Sequence, residues 1–218
     1  MVEVEVKKYI LPPTPLIPNS PLPVLHYPSF LSSPSSRNPA RVHDLFSING
    51  WQVQWIHRYG PTQRSHYHSA AHEGMAVLSG EATIRFGIAD KPGADLEEST
   101  YWKGREDGGV EVRAKAGDVF ILPAGVAHKT FDTEPVGEPQ LLTPGDGHHV
   151  AGEDVTKALE GIKLSGFTMI GAYPEGGEWD FAVGGEHEGK FEEVWSVPKP
   201  GRDPVLGLDP AGLIGLWN

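Results

Sequence analysis

Along much of the chain the apolar positions recur with a period of two. In Trp51-Gln52-Val53-Gln54-Trp55 the large apolar side chains share one face and the glutamines the other, the pattern of a half-buried strand. Ala82, Ile84 and Phe86 alternate with Thr83 and Arg85, and Val110 and Val112 alternate ahead of the continuous run Val119–Leu122. "FTMIGAYP" (167–174) and "WDFAV" (179–183) supply further strand candidates. Glycine- or proline-containing turns separate these runs, so the pattern predicts an all-β sandwich or barrel. Helical patterns are confined to "ARVHDLFSINGW" (40–51), ending near Asn49-Gly50, and "EDVTKALEGIK" (153–163), with Asp154 near its start. Residues 90–109 read as a polar excursion between strands and 133–151 as a second loop. No internal repeat is present, which favours one barrel over a tandem pair.

Residues 11–40 break the period, holding nine of the twenty prolines. Missing donors and fixed backbone angles exclude helix and inner strand there. Leu16, Ile17, Leu22, Val24, Leu25, Tyr27, Phe30 and Leu31 nevertheless make the stretch too apolar for a free linker. The expected organisation is an extended proline-rich arm over 1–40, laid on the domain or on a neighbouring subunit. A single barrel domain with a C-terminal extension then occupies 41–218. An apolar arm needs a surface to cover, and a homodimer is the expected assembly.

Composition narrows the chemistry. The 218 residues carry 27 glycines and a formal charge of −11, which argues against nucleic acid or an anionic membrane as partner. Cysteine is absent, excluding disulfides, thiolate metal ligands and thiol catalysis. No apolar run approaches the roughly 20 residues of a membrane-spanning helix. The N-terminal "MVEVEV" alternates charge with valine, unlike a secretory signal. A soluble cytoplasmic protein is expected.

Against that background "HYHSAAHE" (66–73) stands out, with three of the ten histidines and a glutamate in eight positions. On an extended backbone His66 and His68 face together while Tyr67 faces packing. Glu73 opens the next run, which can pair with the first and bring its carboxylate to the same point. Two imidazoles and a carboxylate suit a divalent first-row metal. His128, after the Pro123-x-Gly125 turn, is a further ligand candidate. His72 is adjacent to Glu73 and faces the other way if the strand is regular. A bulge would let His72 replace Glu73 in the shell; otherwise it lies outside the first shell or at the surface. Surface positions are expected for His26, His43, His148, His149 and His187, and a core or pocket-wall place for His57. Trp51, Trp55 and Trp102 are candidates to line a pocket.

Gly60, His66, His68, Glu73 and Gly80 have the spacing of the first motif of the cupin superfamily, and Gly117, Pro123, Gly125 and His128 that of the second. The usual closing asparagine of the second motif is replaced by Asp132. "HYHSAAHE", "GAYPEGGEWD" and the C-terminal "VPKPGRDPVLG" further resemble YjlB-type cupins, across most of residues 43–218. The resemblance implies a double-stranded β-helix, a jelly-roll barrel of six to eight strands. It also implies one divalent transition metal per chain (Fe, Mn, Ni, Cu or Zn) on His66, His68, Glu73 and His128. It brings no known substrate.

Such a site suits a dioxygenase-type oxidoreductase acting on a small oxygen-rich molecule, with Glu73 as the catalytic group able to move a proton. A non-redox isomerase, dehydratase or decarboxylase is the alternative, and a non-catalytic ligand-binding barrel the third reading.

Overall fold

The computed structural model describes residues 4–218. Two antiparallel sheets face each other. The larger holds seven strands in the order β1 (Lys7–Tyr9), β2 (Val24–Tyr27), β7 (Val119–Leu122), β4 (Glu73–Ser79), β10 (Thr168–Pro174), β3 (Trp51–Arg58) and β9 (Gln140–Leu141). The smaller runs β6 (Val110–Lys115), β5 (Glu81–Phe86) and β8 (His128–Glu134). This is the all-β class expected from the strand pattern and the double-stranded β-helix that the cupin resemblance implies. No helix among the described residues is long and apolar enough to cross a membrane.

The larger sheet is buried on both faces. Its inner face packs Val24, Met75, Val77, Phe120 and Met169 against Ile84 and Phe86 of the smaller sheet. Its outer face carries Leu25, Ala76, Ile121 and Ile170 under Phe46, Leu159 and Trp217. Phe46 belongs to α1 (Pro39–Ile48), whose first-turn donors are satisfied by the Asn38 side chain, accepting from the Ala40 and Arg41 amides. Leu159 comes from α3 (Val155–Glu160), capped by Asp154 accepting from the Lys157 amide at 2.9 Å. The polar excursion after β5 contains α2 (Leu96–Tyr101). Arg85 fastens it to the smaller sheet by donating to the Ser99 and Thr100 carbonyls.

Four expectations need correction. The proline-rich stretch does supply an inner strand, because β2 lies between β1 and β7. Val24–Tyr27 is a proline-free window between Pro23 and Pro28, so its donors remain available on both edges. "WDFAV" forms no strand; only Ala182 bridges, to Tyr67. Strand β4 pairs with β7 and β10 rather than with residues 66–68.

The fourth concerns the face assigned to β3. Against β10 its register skips Gln54, so that Gly171 opposes Trp55 while Ala172 opposes Val53. The bulge turns the strand's phase. Trp51 and Val53 pack on the outer face, whereas Trp55 and Tyr59 enter the space between the sheets. Trp55 fits only because its partner has no side chain: a Cβ on Gly171 would stand 2.1 Å from the indole. We expect Gly171→Ala to displace Trp55 and cost about 1–3 kcal/mol, the usual range for overpacking. An unchanged urea-unfolding midpoint would refute this packing.

Candidate metal centre

His66 and His128 are fixed opposite each other by reciprocal backbone hydrogen bonds of 3.2 and 2.8 Å. Directly opposed residues project to the same side of a sheet, and the two rings lie 4.3 Å apart between centroids. His68 joins them at 5.4 Å from His66 and 5.3 Å from His128. Tyr67 between them points away, into packing with Ile17, Ala89 and Ala127. The Gly125 amide donates to the His68 carbonyl at 2.8 Å, tying the turn before β8 to this segment. The result is a buried trio whose candidate ligand nitrogens all lie within 4.8 Å of one another.

Each ring is oriented by a backbone carbonyl. His66 Nδ1 meets Arg64 O at 3.2 Å, His68 Nδ1 meets Asp180 O, and His128 Nδ1 meets Val126 O at 3.3 Å. A carbonyl only accepts, so each Nδ1 carries a proton, and each ring, when neutral, presents a bare Nε2 to the centre. This is the tautomer that metal-ligating histidines use.

Glu73, the first residue of β4, is buried beside the trio. Its Oε1 accepts from the Tyr173 hydroxyl at 2.6 Å, which itself accepts from Trp55 Nε1 at 3.1 Å. Oε1 also lies 3.2 Å from His68 Nε2. Oε2 lies 3.5 Å from His128 Nε2 and has no hydrogen-bond partner. A buried orphan oxygen is costly, and His68 is flanked by acceptors at both nitrogens. Only a proton or a cation satisfies that arrangement. The three imidazoles, with the Glu73 carboxylate beside them, suit the donor chemistry of a divalent first-row ion.

The ionisation states agree. Burial alone would raise the Glu73 pKa, but His68, His128 and the Tyr173 hydroxyl hold it down at about 2. Burial lowers His128 to about 4, and lowers His66 well below its ordinary value, helped by the neighbouring histidines. Burial also works against protonated His68, yet the Glu73 carboxylate and Asp180 carbonyl outweigh it and raise that pKa.

His72 is turned out of the centre. Its Nδ1 accepts from the Ala124 amide at 3.0 Å, its Nε2 donates to Pro198 O at 3.2 Å, and its ring lies 5.0 Å from Trp217. His57 and Trp55 line the cavity above the trio, while Trp51 packs elsewhere and Trp102 is 67% exposed. His26, expected at the surface, is instead buried and stacked on Phe120 at 4.3 Å. Asp132 adopts the left-handed conformation that asparagine and aspartate tolerate best (φ 51°), which accounts for its place at the end of the second motif.

Tyr173, Trp179, Asp180 and Phe181 also reach the centre and lie outside both motifs. Alternation along β10 puts Tyr173 on the face of Met169 and Gly171, so that signal was present. Phe181 covers His66 at 3.9 Å with 12° between the planes, and Trp179 stands 5.7 Å from His68. Both sit in an irregular segment without period, and the Asp180 contact to His68 uses a main-chain carbonyl that every residue carries.

Without metal, His66 and His128 stay neutral in the fold but titrate near 6.5 once unfolded. Between about pH 6.5 and 4 the unfolded chain therefore holds more protons, so stability must fall on acidification. Glu73 adds its loss only below about pH 4.5, and the raised His68 adds no slope in that window. The denaturation midpoint of metal-free protein should drop from pH 6.5 to 5. A flat or rising profile would contradict the buried neutral pair.

No family model matches the chain. The uncharacterized protein YjlB of Bacillus subtilis (strain 168) is 25% identical over 219 residues, spanning 99% of both chains. Among solved structures, an uncharacterized conserved protein with a double-stranded beta-helix domain from Klebsiella pneumoniae aligns with a TM-score of 0.30 and 14% identity, over 84% of this chain and 86% of its own. Hydroquinone 1,2-dioxygenase PnpCD, solved with Cd2+ and 4-hydroxybenzonitrile, aligns at 0.28 and 15% identity over 57% of this chain and 58% of its own. A vicilin from Solanum melongena aligns at 0.29 and 15% identity over 55% of this chain, which spans 22% of the vicilin. The two facing sheets and the end-to-end relative lead to one assignment: the chain is a YjlB homologue with the double-stranded β-helix fold of the cupins.

Proposed function

We propose that the protein is a metal-dependent enzyme of the dioxygenase type, acting on a small oxygen-rich organic molecule. The observation that carries this reading is the buried His66, His68 and His128 trio beside the orphaned Glu73 Oε2, at the floor of a cavity of about 250 Å³. At roughly 30 Å³ per water the cavity has room for about eight waters, the scale of one substituted ring. A bound divalent ion would supply Lewis acidity, and with a redox-active metal electron transfer to dioxygen.

The protein's own residues do the remaining work. The three carbonyl-tethered imidazoles and Glu73 Oε2 would hold the ion. Phe181 and Trp179 place aromatic faces beside His66 and His68. The Trp55–Tyr173–Glu73 chain of donors fixes the carboxylate through Oε1. Glu73 Oε2, which has no hydrogen-bond partner, would take up a proton from a molecule held in the cavity. That same carboxylate, with a phenol donating to it, favours the second reading, a non-redox isomerase, dehydratase or decarboxylase.

The test is metal reconstitution followed by a screen of diketones, catechols, flavonols and small oxo-acids, with and without oxygen. We expect close to one ion per chain, oxygen uptake coupled to substrate loss, and at least a hundredfold loss of rate in Glu73→Gln. Turnover undiminished under anaerobic conditions would replace the dioxygenase with the non-redox reading. A protein that takes up no metal would remove both.

We further propose a cytoplasmic homodimer. The strand β1 closes one end of the larger sheet, its outer edge unpaired among the described residues, and Ile10 beside it is 76% exposed. Light scattering with size-exclusion chromatography should give twice the chain mass of 23.6 kDa. A monomer at micromolar concentration would dismiss the dimer.

A further inference from the structure

The cavity's lining says which molecules it can hold. Among the described residues no lysine or arginine lines it, while Glu73 lies inside and Asp146 at its rim. Asp146 is held ionised by the His148 amide, which lowers its pKa. A divalent ion with one carboxylate ligand leaves a net charge of +1. One negative charge from the ligand neutralises it, whereas a second would sit in a low-dielectric space with no cation to compensate it. The field of a chain carrying −11 adds to the penalty.

Shape and hydrogen bonding narrow the choice. The walls are ring faces: Trp179 stands nearly parallel to Tyr173, at 22° and 6.4 Å, and Phe181 lies flat over His66. A flat ligand presents the most contact to such walls. Gln63 also lines the cavity, and its Nε2 is buried without a partner. The unmet donor calls for an acceptor oxygen on the bound molecule.

Building on the metal-dependent reading, we propose that the site selects a flat molecule that is neutral in solution. It would give up at most one proton to solvent on meeting the ion, and present an acceptor oxygen to Gln63. Enolisable hydroxyketones on a ring satisfy all four requirements. Phosphorylated and dicarboxylate compounds fail the charge requirement, and aliphatic chelators fail the shape requirement. Gln63 is thereby a specificity-determining residue.

The experiment reads binding rather than turnover, so it does not depend on the reaction. Zinc-loaded protein, its metal content measured, is titrated with 3-hydroxy-2-methyl-4-pyranone and with oxalate, following tryptophan fluorescence and heat. Each affinity is divided by that ligand's affinity for zinc free in the same buffer. We expect the pyranone to be favoured at least tenfold, and its binding to vanish from metal-free protein. Gln63→Leu should weaken the pyranone about five- to tenfold and leave oxalate and zinc content unchanged. Gln63→Glu, closer in size, should weaken it at least as much. Oxalate bound equally well, pyranone binding that survives zinc removal, or zinc-loaded Gln63 variants indistinguishable from wild type would each overturn the proposal. A wild-type chain that holds no zinc would overturn the metal reading together with it.

Discussion

His68 is held between two acceptors, the Asp180 carbonyl at Nδ1 and the Glu73 carboxylate at Nε2. A neutral imidazole has one donor and cannot satisfy both. Positive charge must therefore enter at this contact, as a proton on His68 or as a cation bridging it to Glu73. The other features of the centre follow from that need. His66 and His128 are buried neutral, with lone pairs turned inward, and neither can supply the charge without paying heavily for desolvation. Glu73 remains ionised and keeps one oxygen unpaired. Among these four side chains the unmet polar atom, Glu73 Oε2, lies where they meet.

That geometry demands a rigid support, and the two buried faces of the larger sheet supply it. Glu73 starts β4, which is hydrogen-bonded on both edges, to β7 and β10. His128 starts β8 in the opposite sheet. The distance between the sheets is set by the apolar layer below the site, so Glu73 and His128 come from opposite walls of one packed core. Gly171 matters here because it admits the Trp55 indole that hydrogen-bonds Tyr173, and Tyr173 in turn holds Glu73.

How much of this could be read in advance depended on whether the signal was local. The barrel and the four candidate ligands were legible because strand alternation and fixed motif spacing are local properties of sequence. The phase change in β3 was not. "WQVQWIHR" alternates without a flaw, and the bulge at Gln54 exists only in the register with β10. The inner strand β2 was hidden by prolines that flank its four residues without entering them. His26 was placed at the surface because composition favours it there, whereas it stacks on Phe120 within the sheet. Asp180 and Phe181 reach the centre from an irregular segment that no periodicity marks.

The third histidine of "HYHSAAHE" acquires its meaning from the C-terminal segment. That segment is tied down by Asp203, which accepts from the Val205, Leu206 and Leu213 amides and from the Tyr27 hydroxyl. Trp217 donates to Pro23 O and packs its indole by His72. His72 then links three pieces: β4 through its own backbone, the Pro-x-Gly turn through the Ala124 amide, and the C-terminal segment through Pro198 O. Both ring nitrogens are occupied, one as acceptor and one as donor, which leaves no lone pair for an ion. Since adjacent residues at the head of β4 project to opposite faces, Glu73 faces the cavity while His72 clasps the outside. The histidine beside the carboxylate thus fixes the strand that carries Glu73 to the turn that delivers His128, and holds both against the end of the chain.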